Sequence, residues 1–298
     1  MSTQTPIRVF IGSGEASLLE RKTLIHSLRK HTRRELDLYV FNGTHNSIEH
    51  NDDPPVLAPM SLEIKYRNYT EFSLYRYLIP QLCGYSGRAI WLDSDMLCLK
   101  DIGELFDMPL DGFDFLAKAD AYYPGGWGPS VMLIDCERCR FDLSAIYADI
   151  DQGRCTDSDF THFTPKFLDR HPYQLGRLDP RWNEFDRFDA ETRLIHYTCL
   201  HTQPWKFPRH PVGDLWFRYF REAVADGFIT ATDIGKSIDR AYVRRDIMDG
   251  NWPKPVWLRS DVLQRIIPAV RRRLARFHVL KPATPLVAIK NSQPQTFH

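Results

Sequence analysis

The chain has 298 residues, and its 39 Lys and Arg residues nearly balance its 38 Asp and Glu residues, for a net charge of +1. A charge this close to zero argues against nucleic acid as a partner. The hydrophobic fraction of 43% and the charged fraction of 26% are typical of a globular protein, and the length suits one large α/β domain or two small ones.

The sequence shows no targeting signal and no membrane span. Its first apolar run, Val9 to Ile11, is too short for a signal sequence, and no run approaches the roughly 18 apolar residues of a membrane helix. We therefore expect a cytoplasmic protein, with peripheral contact at the inner face of the membrane left open. The six cysteines include one lone pair, Cys136 and Cys139, which we interpret as ordinary reduced thiols.

The first elements have a βαβ pattern. Apolar residues predict a strand over 7–11, a helix over 16–31 and a second strand over 36–41. The turn Gly12-Ser-Gly-Glu15 lacks the dinucleotide fingerprint, so a nucleotide-binding turn and a plain tight turn both remain open. By composition, residues 42–60 form a loop.

The next segment, residues 70–80, is apolar and aromatic, and it is predicted to be a helix that ends at Pro80. It contains one arginine, Arg76, just before the most informative stretch of the chain. Arg76 either extends to the surface or reaches an anion bound nearby, because a planar guanidinium suits a diphosphate.

That stretch is an apolar run, Ala89 to Leu92, which ends in Asp93-Ser94-Asp95. Such a run predicts a buried parallel strand, and ligands bind beyond the carboxyl ends of these strands. Paired carboxylates there are costly unless a divalent cation with oxygen ligands compensates them. The stretch therefore predicts a metal–diphosphate site.

The later elements add further candidates. Residues 121–130 are rich in glycine and aromatic residues, which fits a mobile lid or a turn-rich connector. Thr156 is a predicted helix cap followed by two acids, Asp157 and Asp159. A strand then brings His196 to its carboxyl end, where it can join the earlier acids. Helices are predicted over 212–226 and 230–245.

The last part of the chain is basic. Between Lys254 and Lys281, eight Lys and Arg residues accompany a single acid, Asp261, and alternate with apolar residues. This pattern predicts a basic amphipathic helical segment on an anionic membrane surface, although Pro268 interrupts it and packing against the domain is the alternative.

In their order along the chain, these motifs resemble glycosyltransferase family 8, which includes glycogenin and bacterial lipopolysaccharide hexosyltransferases. The resemblance covers residues 7–206, and it rests on the helix around Arg76, Ala89–Leu97 with its DxD motif, Asp101–Phe106, Val131–Asp135, and Ile195-His-Tyr with Pro204-Trp205. It implies an α/β fold of the GT-A type, a Rossmann-like single domain with a mixed, mainly parallel sheet flanked by helices. That domain is expected over residues 1–250, with residues 251–298 as the basic extension.

The resemblance also implies a set of site residues. The metal, Mn²⁺ or Mg²⁺, would be held by Asp93, Asp95 and His196. The UDP-sugar donor would contact Gly12, Ser13, Glu15, Arg76, Asp93, Ser94 and Gln203. The residues around the reacting sugar would be Asp157, Asp159 and Arg76.

Three departures from the family pattern lie around the sugar and the acceptor. Cys199 stands where the family has glycine, Gln203 where it has a diphosphate-binding lysine, and Ser158 where it often has glutamine. They leave the donor and the acceptor unidentified and keep open a catalytically impaired nucleotide-sugar-binding module.

The resemblance implies metal-dependent transfer of a hexose from a UDP-sugar to a hydroxyl of a glycan or lipid-linked acceptor. Retention of configuration and a role in bacterial surface polysaccharide or lipopolysaccharide synthesis are also implied. The rival enzyme is a phosphohydrolase with Asp93 as its nucleophile, but Met96 and Leu97 follow the motif where that class has Gly and Thr.

Overall fold

The computed structural model describes residues 5–51, 53–58, 70–121 and 123–252. From residue 253 onward, the predicted basic extension lies outside the described residues. Within those ranges, no helix is long and apolar enough to cross a membrane.

The described residues contain two β-sheets. One has eight strands in the order β4-β3-β2-β1-β5-β8-β7-β9, and the other has three in the order β10-β11-β6. In chain order the strands are β1 (Ile7–Ser13), β2 (Leu36–Asn42), β3 (Ser47–His50), β4 (Val56–Leu57), β5 (Arg88–Asp93), β6 (Met96–Cys98), β7 (Phe115–Ala119), β8 (Trp127–Asp135), β9 (Leu175–Arg177), β10 (Glu184–Phe185) and β11 (Leu194–His196).

Eight α-helices accompany these strands in the same residues. They are α1 (Leu18–His31), α2 (Ile79–Leu82), α3 (Gly103–Phe106), α4 (Leu143–Asp151), α5 (Asp157–Thr161), α6 (Pro165–Leu168), α7 (Gly213–Ala225) and α8 (Ala231–Asp239). Short 3₁₀ helices cover Glu15–Ser17, Ser73–Leu78, Pro180–Trp182 and Ile247–Asp249.

The centre of the large sheet is parallel, because β1 pairs in parallel with both β2 and β5. The crossover between β1 and β2 is α1, as a parallel pair requires. Alternate residues of β1 enter different cores, with Val9 and Ile11 on the α1 side and Phe10 on the other. β8 runs antiparallel to β5, so the predicted mixed sheet flanked by helices is confirmed.

Three local predictions were wrong. Residues 42–60 contain the strands β3 and β4, which are too short to show a pattern in the sequence; β3 forms by pairing with β2, and β4 forms by pairing with β3. Pro80 lies inside α2 rather than at a helix end, since the first helical turn does not need its missing N–H group. The segment 121–130 is only partly a loop, because β8 already begins at Trp127.

The helices α7 and α8 form a third core with Trp205 from the preceding loop. Trp205 packs against Trp216 of α7, with ring centroids 5.2 Å apart. The helix predicted over 212–226 is confirmed as α7. The next helix is shorter than the predicted 230–245: it begins at the Thr230 cap and ends at Asp239.

Candidate functional site

The candidate site forms where β1 and β5 end side by side. Gly12 pairs with Asp93 in their register. A Cβ atom at Gly12 would lie 2.4 Å from the Trp91 ring and 2.5 Å from the Phe72 ring, so only glycine allows this approach. The strand ends therefore place the DxD motif directly beside the turn that follows β1.

The chain continues from β5 into β6 after two residues, Ser94 and Asp95, and this short connection brings His196 to the motif. β6 pairs antiparallel with β11, with Met96 opposite His196. Asp95 immediately precedes Met96, so its carboxylate and the imidazole of His196 meet. The His196 Nε2 atom lies 3.0 Å from Asp95 Oδ1.

Both members of this pair are held by other groups. Asn183 Oδ1 lies 3.2 Å from His196 Nδ1, while Gln203 Nε2 donates hydrogen bonds to Asp95 Oδ2 and to the Tyr197 carbonyl. Burial alone would lower the pKa of His196, but its attraction and hydrogen bond to Asp95 outweigh burial, and the pKa is raised. The contact with Asp95 therefore favours the protonated imidazole.

The first aspartate of the motif has a different partner. Asp93 Oδ1 accepts a hydrogen bond of 3.0 Å from Trp91 Nε1 and one of 3.3 Å from Arg76 Nη2. Arg76 is 4% exposed and also donates to the carbonyls of Ser73 and Pro129. Burial raises the pKa of Asp93 despite the lowering effect of Arg76. Arg76 is thus a buried cation fixed against the motif, as a phosphate-binding role requires.

The predicted metal ligands are close together but are not arranged as a ligand cage. Among the described residues, no three His, Cys, Asp or Glu side chains form a group that could hold a metal ion. The donor set of Asp95, His196 and Asp93 nevertheless fits Mn²⁺ or Mg²⁺ chemically. Asn183 holds the second imidazole nitrogen as in metal-ligating histidines, and the buried Gln203 Oε1 atom has no hydrogen-bond partner.

The end of β1 and the residues just after it contain the predicted nucleotide contacts Gly12, Ser13 and Glu15. Ser13 is buried, and its hydroxyl accepts a hydrogen bond of 3.4 Å from Arg21. The Glu15 carboxylate forms an ion pair with Arg240 and accepts a hydrogen bond of 3.2 Å from the Tyr242 hydroxyl. Residues after α8 therefore lie against the turn, a contact that the sequence did not reveal.

Asp157 and Asp159 lie in the first turn of α5, as predicted. Asp159 completes a capping box with Thr156 and accepts a further hydrogen bond of 2.9 Å from Thr164 Oγ1. Its pKa is lowered, because these hydrogen bonds outweigh the raising effect of burial. The oxygens of Asp159 thus serve the local structure, and within the described residues neither aspartate lines the cleft beside the DxD motif.

That cleft has a volume of about 540 Å³. Arg76 and Asp93 line it together with residues that the sequence did not single out, namely Asp120, His162, Phe185, Asp186, Thr198 and others. Asp186 accepts hydrogen bonds from Thr198 Oγ1 at 2.6 Å and from the Cys199 N–H at 3.1 Å. Asp120 and Asp186 directly follow strands, and this strand-end position was the one signal that could have identified them.

Comparisons with known proteins agree with this geometry. The chain is 29% identical over 138 residues to Glycosyltransferase GlyB of Streptococcus pneumoniae serotype 4, covering 44% of this chain and 31% of that protein. It is also 29% identical over 126 residues to Protein CDI of Arabidopsis thaliana, covering 41% and 44%. The chain spans less than half the length of these relatives, and no protein-family model matches it.

The fold is similar to that of a glycosyltransferase of known structure. The chain superposes on the apo structure of the bifunctional glycosyltransferase WbbM with a TM-score of 0.51 and 13% sequence identity, covering 74% of this chain and 50% of that one. The predicted GT-A fold and the resemblance to glycosyltransferases are confirmed.

Proposed function

We propose that this chain transfers a sugar from a UDP-sugar donor to a hydroxyl group, with the help of a divalent cation. The observation that carries the proposal is the meeting of Arg76, the Asp93–Asp95 motif and His196 at the end of β5, in a chain with the GT-A fold. A buried guanidinium beside carboxylates and an imidazole matches the needs of a metal–diphosphate complex.

In this proposal Asp95 and His196 hold the cation, with Asp93 as the third ligand. The cation, when bound, neutralises the charge that develops on the diphosphate as UDP leaves. Arg76 exchanges its hydrogen bond to Asp93 for one to a phosphate oxygen, a change that needs little motion since its other donors stay on backbone carbonyls.

The chain must also keep water away from the donor, because water would compete with the acceptor. The segment between β7 and β8 borders the cleft through Asp120, and the start of β8 borders it through Gly128. The segment is closed by backbone hydrogen bonds from Asp120 to Gly126 and from Gly126 to Tyr123. We propose that this segment, which ends where β8 begins at Trp127, covers the bound donor.

The test is to incubate the chain with a panel of UDP-sugars and simple glycoside acceptors, with Mn²⁺ or with chelator, and to measure UDP release. We expect metal-dependent release with at least one donor, and loss of release in Asp95→Asn. Asp226→Asn is a matched control, since Asp226 also pairs with a histidine, His26, but lies in a separate pocket with Arg29 and Glu222. If no donor binds or reacts, or if Asp95→Asn matches the wild type, the proposal is wrong.

A second candidate is a nucleotide-sugar-binding module without transfer activity. It is favoured by one observation: Asp93 and Asp95 are both engaged by side chains, Arg76 and His196. The same experiment separates the two, because a module binds a UDP-sugar but releases no UDP in the presence of metal and acceptors.

The finer features of the reaction follow the family resemblance. We propose a hexose donor, retention of configuration, and a glycan or lipid-linked acceptor of bacterial surface polysaccharide or lipopolysaccharide synthesis. The anomeric proton coupling of the isolated product, measured by NMR, tests the stereochemistry. A product with inverted configuration would contradict retention but not sugar transfer.

A further inference from the structure

A pair of thiols lies at the other end of β5 from the cleft. Cys83 directly follows α2, in the turn before β5, and Cys136 directly follows β8. Since β5 and β8 run antiparallel, the start of β5 lies beside the end of β8, and the Cys136 N–H donates a hydrogen bond of 2.9 Å to the Gly87 carbonyl. The Ser86 N–H donates one of 3.2 Å to the Cys83 carbonyl. These contacts bring the two side chains together, and their sulfur atoms share a hydrogen bond.

The two thiols differ in their access to solvent. Cys136 is fully buried, whereas Cys83 is half-buried and packs against the core that contains Cys136. Both are free thiols in this structure. A small solute therefore reaches the Cys83 sulfur first, and the Cys136 sulfur reacts only with a group that has already formed on Cys83.

A cation lies beside the more accessible thiol. Arg8, near the start of β1, donates hydrogen bonds to Asp37 Oδ2 at 3.1 Å and to the Ser86 carbonyl at 3.5 Å. It also donates one to the Cys83 sulfur. The hydrogen bond with Cys136 and the charge of Arg8 lower the pKa of Cys83, although burial opposes them. The hydrogen bond with Cys83, together with burial, raises the pKa of Cys136. The accessible sulfur is thus favoured as the thiolate, which is the nucleophilic form of cysteine.

The third cysteine of this region, Cys139, is a weaker nucleophile, although only two residues separate it from Cys136. Burial raises the pKa of Cys139, and the negative charges of Asp114 and Asp135 raise it further. The thiol that shares a hydrogen bond with Cys136 is instead Cys83, which is distant in sequence. The spacing of the CxxC motif therefore did not identify the partner.

We propose that Cys83 and Cys136 form a reversible disulfide when the chain meets a small hydroperoxide. With hydrogen peroxide, the Cys83 sulfur bonds to one peroxide oxygen, the O–O bond breaks, and hydroxide leaves. The resulting sulfenic acid reacts with the Cys136 thiol: an S–S bond forms, the S–O bond breaks, and the oxygen leaves as water. In sum, the two thiols are oxidised to a disulfide and the peroxide is reduced to water. This inference does not depend on the proposed sugar transfer.

The experiment treats the reduced full chain with hydrogen peroxide, blocks the remaining thiols with N-ethylmaleimide, and maps tryptic peptides by mass spectrometry without reduction. Trypsin cuts after Arg138 and so separates Cys136 from Cys139. We expect one main linked product, in which the peptide 77–88, which contains Cys83, is joined to the peptide that ends at Arg138. Dithiothreitol should separate the two peptides.

Variants test the role of each group. Cys136→Ser should leave Cys83 as a sulfenic acid that dimedone labels, because the second thiol is missing. Arg8→Gln should slow disulfide formation about fivefold, since the charge that favours the thiolate is lost, whereas Arg8→Lys keeps the charge and should retain most of the rate. Cys139→Ala is the matched control and should form the same linked product as the wild type.

The wild-type chain alone can refute the proposal, so the test does not depend on whether a variant folds. Peroxide that oxidises the exposed Cys199 but leaves Cys83 and Cys136 unlinked would overturn it. A main product that links Cys136 to Cys139 would overturn it as well. An unchanged rate in Arg8→Gln, with a circular dichroism spectrum equal to that of the wild type, would show that Arg8 does not activate the thiol.

Discussion

Asn183 provides the sharpest test of the proposed metal site, because it would act on the metal only through His196. Its Oδ1 atom lies 3.2 Å from His196 Nδ1, and Asn183 is fully buried. As an acceptor it keeps the proton on Nδ1 and leaves Nε2, the nitrogen that faces Asp95, for a cation. We predict that Asn183→Ala weakens Mn²⁺ binding, whereas Asn183→Asp does not.

The expected size follows from the loss of one orienting hydrogen bond. Such partners of metal-binding histidines are worth about 10- to 100-fold in metal affinity, or about 1.4 to 2.8 kcal/mol. Asn183→Ala also removes a hydrogen bond of 2.9 Å to Ser130 Oγ, so its unfolding free energy should fall by about 1 to 2 kcal/mol. Asn183→Asp keeps an acceptor opposite Nδ1 and should bind Mn²⁺ at least as tightly as the wild type.

The assay is titration with Mn²⁺, with the free ion measured from its electron paramagnetic resonance signal. The titration is done without urea, at a pH where circular dichroism shows that each variant is folded. Equal dissociation constants for Asn183→Ala and the wild type would refute the reasoning. An equal loss in Asn183→Ala and Asn183→Asp would also refute it, because the effect would then reflect packing rather than the hydrogen bond to His196.

Four further predictions concern Gly12 at the end of β1, the Arg76 side chain, stability at acid pH and the basic extension. Gly12→Ala should lower the free energy of unfolding in urea by about 1 to 3 kcal/mol, since its Cβ would collide with two rings. Gly235→Ala has open space in α8 and should raise this free energy by about 0.5 to 1 kcal/mol. The opposite order of stability would contradict the packing. Arg76→Lys should weaken UDP binding by about 1.5 kcal/mol in calorimetry, because an ammonium cannot replace a guanidinium with three fixed acceptors. Equal affinity would exclude a role for Arg76 in binding the diphosphate. The lowered pKa of Asp186 adds stability that is present above its unfolded pKa of about 3.9 and is lost as pH falls through the folded value. Asp186→Asn should therefore flatten the acid side of the plot of unfolding free energy against pH. An unchanged slope on the acid side would contradict this. Deleting residues 254–298 should weaken co-sedimentation with anionic vesicles in low salt, by about 1 kcal/mol for each basic residue at the surface, and equal binding would refute the membrane role.

The meeting of Asp95 and His196 was predictable, and the reason is local. Asp95 lies two residues beyond the end of β5, His196 ends β11, and ligands of α/β folds bind beyond the carboxyl ends of strands. The sequence could not show that the chain leaves the large sheet after Asp93 and enters the small one after Asp95. That change turns the two carboxylates toward different partners, Arg76 and His196.

The residues that sequence reasoning missed come from loops and short elements. Asn183 follows a 3₁₀ turn, and His162 follows a five-residue helix, so neither lies in a periodic pattern that indicates burial. Asp159 is the converse case, since its spacing from Thr156 already matched a capping box that the structure contains. Local patterns therefore identified secondary-structure roles, whereas the cleft wall depended on contacts distant in sequence.

In the proposed function, the two ion pairs at the DxD motif would link the binding of the cation to that of the donor. Asp93 cannot serve a metal while it neutralises the buried Arg76, and Arg76 cannot remain buried without an anion. A diphosphate resolves both constraints at once, because it replaces Asp93 as the partner of Arg76 and frees that carboxylate. Each ligand should therefore raise the affinity of the other by the same factor, since coupling between binding equilibria is reciprocal. In the proposed function, the chain without ligands holds Asp93 and Asp95 in two ion pairs, and donor binding would free Asp93 for the cation.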